Sequence, residues 1–356
     1  MTSRLTGLRS QWRGLLLPAI IVLYGLFLLG YGLLWAAARD RLWQTDFLSN
    51  FTAWYFLPAP VLLVIALLRK RRRWALVLLI PLLVFVLKYG VHFLPDTLRA
   101  GWHSEARTIT VMTMNVLKRS TDWAAAEAQI RQANPDVIAI QEMSDGFLSS
   151  VWPSLTAAYP YTVSVFSPLD ESSMGVMSRY PITDQETFNL PENYELTHIR
   201  AVVDVNGQPV TVYNMHMTAP SFVRPQGQRR FIGRIFPYEY FTYYRRWQMD
   251  NFYPKLAAES QPVVVMGDFN TADSSGDYDR FVAGSGLRDA YAGVGFGLGY
   301  TFPSEVIVGS QKLPFLPLMR LDYIWHSEAI KPLAAWLGGS TGSDHLPVIA
   351  QLQLPA

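Results

Sequence analysis

Residues 262–273 of the chain read Pro262-Val263-Val264-Val265-Met266-Gly267-Asp268-Phe269-Asn270-Thr271-Ala272-Asp273. Three valines and a methionine in succession predict a β-strand that is buried on both faces. The strand ends at Gly267, and Asp268 and Asn270 follow with a carboxylate and an amide. Polar side chains at the carboxyl end of a buried strand are typical of active sites in α/β proteins. An isolated stretch of this kind can equally be an ordinary turn, so its meaning depends on the rest of the chain.

The part of the chain after residue 106 opens with a similar arrangement built around a helix. Residues 108–114 are rich in β-branched residues, which predicts a strand that stops at Asn115. A helix with a cap at Thr121 or Asp122 follows, and residues 136–140 form a second apolar strand that ends in Gln-Glu. Strand, helix and strand in this order predict a βαβ unit and therefore an α/β domain.

Later strands also end in polar residues. The runs 199–205 and 209–214 are separated by Asn206-Gly207, which predicts a hairpin whose second strand leads toward His216. The candidate site residues at all the strand ends are Asn115, Glu142, Asn214, His216, Asp268, Asn270, Asp322, Asp344 and His345.

The residue types in this set favour hydrolysis assisted by a hard metal ion. Carboxylate and amide oxygens suit Mg²⁺, with Mn²⁺ as a second possibility, and the sequence has no cysteine to supply a thiolate. Two histidines beside acids offer proton transfer and stabilisation of an anion. Neither a serine nucleophile elbow nor a P-loop is present in the sequence.

The first third of the chain differs in composition from the rest. Residues 1–105 hold 12 Lys and Arg against 4 Asp and Glu, whereas residues 106–356 hold 18 against 24, a net charge of −6. Three apolar runs, residues 14–38, 51–68 and 74–94, predict transmembrane helices, although the third is interrupted by Lys88 and can instead be a re-entrant or interfacial helix. We therefore expect a three-helix transmembrane region over residues 1–98 and a catalytic domain over residues 106–356.

The basic residues around these runs predict the orientation. Three arginines precede the first run, and residues 69–73 are five consecutive basic residues between the second and third. The positive-inside rule places both in the cytoplasm. Three spans would then put the catalytic domain on the extracytoplasmic side of the cell (cytoplasmic) membrane.

The ordered motifs MNVL, IQE, SRYPI, YNMH, GDFN, LDYIW and GSDHLPV resemble those of the endonuclease/exonuclease/phosphatase superfamily, which has the DNase I-like fold. The resemblance covers residues 107–354. It implies a four-layer α/β sandwich of two packed mixed β-sheets flanked by helices, and metal-assisted hydrolysis of a phosphate ester or anhydride.

The resemblance also implies roles for the candidate residues. Glu142 would be the main metal ligand, with Asn115 and Asp344 completing the metal shell. Asp268 would orient or deprotonate the attacking water, His216 would donate to the leaving group or to a phosphoryl oxygen, and His345, paired with Asp322, would stabilise the pentacovalent phosphorus. Asn214 and Asn270 would hold phosphate oxygens.

Two further stretches concern the substrate. Residues 221–244 mix arginines with many aromatic residues, which suits a membrane interface, stacking on nucleic acid or a helix packed on its own domain, and residues 313–319 form an apolar loop. With the lipid bilayer as a partner, these stretches favour a lipid-linked phosphate, pyrophosphate or phosphodiester as substrate. A tethered nuclease is a second hypothesis that the acidic domain makes less favourable, and a non-catalytic membrane scaffold is a third. The sequence indicates no particular protein partner.

Overall fold

A computed structural model describes residues 2–38, 41–94, 107–169, 171–223, 239–308 and 311–355. The chain divides into two compact units, Met1–Val91 and His92–Ala356. The predicted domain boundary, between residues 98 and 106, lies outside the described residues.

The first unit is helical. Its helices are α1 (Thr2–Ala38), α2 (Trp43–Ser49), α3 (Pro58–Leu68) and α4 (Arg72–Tyr89), with 3₁₀ turns at Thr52–Phe56 and Gly90–Phe93. Two segments, Leu15–Ala38 and Arg72–Phe93, are long and apolar enough to cross a membrane. They correspond to the first and third predicted spans.

The second predicted span, residues 51–68, is a 3₁₀ turn (Thr52–Phe56) followed by α3 (Pro58–Leu68), and it is long enough for a candidate membrane span only when α2 is counted with it. The helical segments Trp43–Ser49 and Thr52–Leu68 meet at 72°. The bend lies at Asn50 and Phe51, between the two helical segments. Pro58 begins α3, and at the start of a helix the backbone N–H that proline lacks would have no partner within the helix. The structure therefore contains two candidate spans, the first and the third of those predicted, and the second stays a prediction.

The second unit contains two six-stranded sheets. The first sheet has the strand order β15-β16-β1-β2-β4-β3 and the second has the order β11-β14-β10-β7-β6-β5. Each sheet is mixed, because β1 pairs with β2 in parallel and β7 pairs with β10 in parallel, while the other pairs are antiparallel. The strands of the first sheet are β1 (Thr108–Asn115), β2 (Val137–Met143), β3 (Tyr161–Ser167), β4 (Ser172–Ser178), β15 (Lys331–Leu337) and β16 (Val348–Gln353). Those of the second are β5 (Ile182–Asn189), β6 (Thr197–Val205), β7 (Gln208–His216), β10 (Val263–Asp268), β11 (Arg288–Asp289) and β14 (Asp322–His326).

Two small two-stranded sheets and six helices complete the described part of this unit. The sheets pair β8 (Ser221–Val223) with β9 (Glu239–Phe241), and β12 (Glu305–Val308) with β13 (Gln311–Pro314). The helices are α5 (Trp123–Ala133), α6 (Asp145–Ser150), α7 (Trp152–Leu155), α8 (Tyr243–Ala257), α9 (Gly276–Ser285) and α10 (Ala290–Val294).

Three apolar layers hold the sheets and helices together. The central layer lies between the sheets and includes Val111 and Val264. A second layer packs α5 and α6 on the outer face of the first sheet, and a third packs α8 and α9 on the outer face of the second sheet. Alternate residues of β10 enter the central layer (Val264, Met266) or the outer one (Val263, Val265), so this strand is buried on both faces as predicted. The order helix, sheet, sheet, helix confirms the predicted four-layer sandwich.

Candidate active site

Three of the predicted site residues lie side by side at the ends of neighbouring strands of the second sheet. Asp268 ends β10 and is aligned with His216 of parallel β7 and with Asp322 of antiparallel β14. Because side chains alternate along a strand, all three continue the inward-facing row that contains Met266 and Ile324. The pairing of the strands therefore brings together residues separated by more than a hundred positions in the chain.

Gly267 makes the close approach of β10 to β7 possible. Its φ angle is +147°, and a Cβ atom there would lie 1.8 Å from the carbonyl oxygen of Met215. A residue with a side chain would be strained in its backbone and would overlap the neighbouring strand. The glycine directly before Asp268 thus fixes where the Asp268 carboxylate emerges.

The Asp268 carboxylate is almost completely buried among polar partners. Its Oδ1 accepts a hydrogen bond from the backbone N–H of Asn270 (2.8 Å), and its Oδ2 accepts one from Asn115 Nδ2 (3.1 Å). The same Oδ2 lies 3.8 Å from His216 Nε2 and 3.7 Å from His345 Nε2. Burial raises the pKa of Asp268 to about 6, against the opposing charge of His345. A carboxylate with this pKa can accept a proton near neutral pH.

His345 is oriented by Asp322. The ring Nδ1 lies 2.9 Å from Asp322 Oδ2, and both side chains are buried. Burial by itself would lower the pKa of His345, but the charges of Asp322 and Asp268 outweigh it and raise the pKa to about 10. The imidazole is therefore a cation at neutral pH, and its Nε2–H faces the centre of the site.

Glu142 comes from the first sheet and faces the same centre. It has a φ of +56° and lies where the pairing of β2 with β4 is irregular, so a bulge turns its side chain toward the site. Its Oε1 accepts a hydrogen bond from Asn115 Nδ2 (2.9 Å) and lies 3.8 Å from His216 Nε2. The backbone N–H of Lys118 donates to Oε2 at 3.3 Å.

Asn115 links the two halves of the site. Its amide nitrogen donates to Glu142 and to Asp268, and its Oδ1 accepts from the backbone N–H of Leu117 (2.9 Å). Asn115 therefore lies beside Glu142, while its role as a metal ligand stays a prediction. An amide binds a metal through oxygen, so ligation by Asn115 would require its amide to turn over.

The remaining predicted metal ligand, Asp344, carries a buried oxygen that fits a cation. Its Oδ1 finds no hydrogen-bond partner among the residues that the structure describes. Burial, together with the negative charge of Glu142, raises the pKa of Asp344. Because an uncompensated buried carboxylate is costly, neighbouring acids of this kind suit a divalent cation. Single donor atoms of Asp268, Asp322 and His345 also lie within 4.8 Å of one another, which makes that trio a second possible metal group.

The two predicted phosphate-binding amides differ in position. Asn214 is fully buried, and its Nδ2 donates to the carbonyl oxygens of Ile140 (2.9 Å) and Gly175 (2.7 Å) in the other sheet. Its Oδ1 accepts from Gln141 (2.7 Å). Both amide hydrogens are thus used beneath the site, where they tie the sheets together. Asn270 is partly buried, and its Nδ2 donates to the carbonyl oxygen of Met217 (2.9 Å).

Three supporting residues were not predicted as part of the site. Arg245 of α8 is buried, pairs with Asp277 at 2.6 Å and donates to the carbonyl oxygen of Asn270. The Thr301 hydroxyl accepts from the backbone N–H groups of Leu321 (3.1 Å) and Asp322 (3.4 Å). His198 accepts from the backbone N–H of His216 at 3.3 Å, and burial lowers its pKa to about 3, so it is neutral there.

The assembled side chains can carry out hydrolysis at phosphorus. Asp268 can remove a proton from water, His216 can donate one, and cationic His345 can stabilise negative charge. A sequence profile of the endonuclease/exonuclease/phosphatase family matches residues 112–345, which contain this whole set. The chain belongs to that family.

Several solved structures share the fold of the catalytic unit. A family protein from Bacteroides vulgatus is 18% identical with a TM-score of 0.51 and covers 70% of this chain and 99% of its own. TDP2 from C. elegans is 16% identical with a TM-score of 0.50 and covers 70% of this chain and 77% of its own. A family protein from Leptotrichia buccalis is 16% identical with a TM-score of 0.50, and the match covers 69% of this chain and 100% of that protein. At these identities the likeness shows the fold alone.

A comparison with curated protein sequences found no match. Membership of the endonuclease/exonuclease/phosphatase family makes the chain a metal-dependent hydrolase of phosphate esters or anhydrides.

Proposed function

We propose that the chain is a membrane-anchored phosphohydrolase or phosphodiesterase that acts on a lipid-linked phosphate or pyrophosphate at the outer face of the cytoplasmic membrane. The supporting observation is that one chain combines the buried Asp268 carboxylate, within 4 Å of two imidazoles, with two helices long enough to span a bilayer. The first feature supplies the chemistry, and the second keeps the enzyme at the membrane that contains such substrates.

In the proposed reaction, water attacks phosphorus in line with the bond that breaks. Asp268 takes the water proton, and His216 gives a proton to the departing oxygen, so charge and protons balance. His345 stays protonated and stabilises the added charge on the phosphoryl oxygens. The Asn270 side chain would orient the phosphate.

A divalent cation, Mg²⁺ or Mn²⁺, would be held by Glu142 with Asn115 and Asp344. When bound, it would act as a Lewis acid toward a phosphoryl oxygen. The buried Asp344 Oδ1, which has no hydrogen-bond partner within the described part of the chain, supports this donor set.

A tethered nuclease is the second candidate. The aromatic and arginine-rich stretch around α8 favours it, but the net charge of −6 over residues 106–356 is unfavourable for capturing a polyanion.

An activity panel on the detergent-solubilised full chain tests the proposal. It compares polyprenyl pyrophosphate, phospholipids, sphingomyelin and plasmid DNA, each with and without Mg²⁺. We expect Mg²⁺-dependent turnover of a lipid phosphate, its loss in Asp268→Ala and its retention in the exposed control Asp250→Ala. Salt-sensitive nicking of DNA without lipid turnover would instead support the nuclease.

The side of the membrane needs its own test. Two crossings would return the chain to the side of its amino terminus, whereas three, with the bent pair α2–α3 counted as a span, would place the catalytic unit outside. Because the sequence has no cysteine, Glu328→Cys is a unique label site on an exposed residue. Modification of this variant by an impermeant maleimide in spheroplasts would support the outer location, and modification only after lysis would contradict it.

A further inference from the structure

The exposed apolar side chains of the catalytic unit are concentrated in three segments. Among the described residues 107–355, twelve large apolar or aromatic side chains are well exposed, and eight of them lie in these segments. We call the three segments the apolar rim: Phe166 and Leu169; Phe241, Tyr243 and Tyr244; and Leu313, Phe315 and Leu316. Such clustering on a soluble surface marks an interaction site more often than scattered single residues do.

The first rim segment lies at the same sheet end as Glu142. Phe166, which is 56% exposed, is aligned with Ser173 of β4, and Ser173 is aligned with Met143, the residue after Glu142. Leu169 follows in the turn between β3 and β4.

The second rim segment is attached to the loops that follow His216 and Asp268. The backbone N–H of Thr218 donates to Gln248 of α8 (2.8 Å), and the Thr218 hydroxyl bonds to Tyr194 (3.1 Å). The Tyr194 ring stacks on Tyr244 with centroids 5.4 Å apart. Arg245, the next residue, holds the Asn270 carbonyl, so the first turn of α8 is fixed to the site.

The third rim segment is attached to the loop that carries Asp344. The backbone N–H of Phe315 donates to Ser304 (2.8 Å), and the N–H of Ser304 donates to the carbonyl oxygen of Asp344 (2.7 Å). Lys312 donates to the carbonyl oxygen of Gly342 at 2.8 Å. Leu316 at the tip is 65% exposed.

We propose that the apolar rim rests on the surface of a lipid bilayer, with the catalytic residues at its centre turned toward the lipid headgroups. Tyrosines with exposed rings suit the headgroup region, and leucine and phenylalanine tips gain free energy on leaving water. The two candidate spans of the same chain keep a bilayer within reach, which favours this partner over a soluble protein. The inference rests on the membrane anchoring in the proposed function and adds how the site meets its substrate.

Site-directed labels on the full chain in nanodiscs test the rim directly. Leu316→Cys, Tyr243→Cys and Phe166→Cys each give a single thiol for an environment-sensitive fluorophore. Tyr161→Cys is the matched control, because Tyr161 is also exposed (40%) but lies at the opposite end of β3 from Phe166. It is aligned with Ser178 of β4, which is aligned with Val137 at the start of β2, away from Glu142. We expect blue-shifted emission and loss of intensity with nitroxide-labelled lipids at the three rim sites, and iodide quenching at Tyr161→Cys.

Two outcomes would overturn the proposal. Rim labels quenched by iodide as strongly as the control would show a surface that faces water. Rim labels protected from iodide but insensitive to nitroxide lipids would show a surface covered by protein. Neither readout uses catalysis, so a failed activity panel would leave lipid contact to be judged separately.

Kinetics give an independent check. Leu316→Ser should raise KM for a bilayer-embedded substrate by about tenfold, since burial of one leucine is worth at least about 1.4 kcal/mol. The kcat/KM for a short-chain soluble analogue should be unchanged in the same variant. Equal losses on both substrates would contradict docking.

Discussion

Oδ2 of Asp322 lies 2.9 Å from Nδ1 of His345, although Asp322 begins β14 in one sheet and His345 precedes β16 in the other. This contact joins the two sheets through the charged centre of the site. It also explains why His345 keeps its proton in a buried position, where an isolated imidazole would lose it.

Asp322→Asn should disable the site without unfolding it. The amide has nearly the same shape but lacks the largest of the charges that raise the pKa of His345, so that pKa should fall and the cationic imidazole should be less favoured at neutral pH. We expect kcat to fall by about 100- to 10,000-fold, the range for loss of an acid–base partner. Phosphate-release kinetics measure the effect, and the NMR titration of His345 should show its pKa shifted downward. Asp250→Asn, an exposed change on α8, serves as the control.

The pH dependence of hydrolysis should follow Asp268. Its pKa of about 6 means that the carboxylate, the form able to accept a proton, is lost as the pH falls through that value. We expect kcat/KM to fall about tenfold per pH unit below this limb. A bound divalent cation favours the carboxylate, so higher Mg²⁺ should move the limb to lower pH. A profile that is flat from pH 7 to pH 4 would contradict the role of Asp268.

Glu142→Gln should weaken metal binding. The change removes a charged oxygen donor next to Asp344 and retains the size of the side chain. We expect the metal dissociation constant to rise by at least about 10- to 100-fold, the loss known for weaker outer partners of metal sites. Calorimetry with Mn²⁺ measures it directly. Unchanged affinity would move the metal to the Asp268, Asp322 and His345 group.

Gly267→Ala should be strongly destabilising. The new methyl group would meet the Met215 carbonyl in a backbone conformation that alanine rarely adopts. We expect a loss of about 3 kcal/mol or more, seen as a lower unfolding temperature. Gly286→Ala is the control. The φ angle of Gly286 is +66°, but no atom of the residues that the structure describes would lie within 4 Å of the new methyl group, so only the backbone cost of about 1–2 kcal/mol applies.

Glu259 should make the free energy of unfolding depend on pH in the acidic range. Burial opposes its ionisation, but hydrogen bonds from Arg200 (2.5 Å) and Tyr213 (2.5 Å) outweigh burial and lower its pKa below 4.5. Its stabilisation is therefore complete above pH 4.5 and is lost as the pH falls through the lower pKa of the folded state. Glu259→Gln should cost roughly 2 kcal/mol at pH 7 and progressively less as the pH falls through the lowered pKa, measured by thermal unfolding. The exposed control Glu328→Gln should show no such pH dependence.

The central strands could be predicted from the sequence, and the edge strands could not. β10 and β2 are continuous apolar runs because both of their faces are covered. β5 at the edge of the second sheet exposes most of its residues, and the edge strand β3 exposes about half, so neither carries a strong apolar pattern. The Asn206-Gly207 turn was predictable because both residues adopt the positive φ that such hairpins require.

The site residues were identifiable as strand ends, but their spacing was not. The alignment of Asp268 with Asp322 depends on an antiparallel pairing across more than fifty residues, which no local pattern encodes. Arg245 was visible only as one arginine in an aromatic stretch, and its contact with Asn270 exists because α8 packs behind β10.

The hydrogen bonds of Asn214 have a consequence for how the enzyme moves. The Asn214 side chain, in the second sheet, donates hydrogen bonds to two main-chain oxygens of the first sheet and accepts one from Gln141. These bonds lie directly beneath the catalytic side chains. These hydrogen bonds hold the two sheets together beneath the site, so the catalytic residues of both sheets are in place before substrate binds. Motions that admit substrate and release product are then expected in the loops around the site and not in the two sheets.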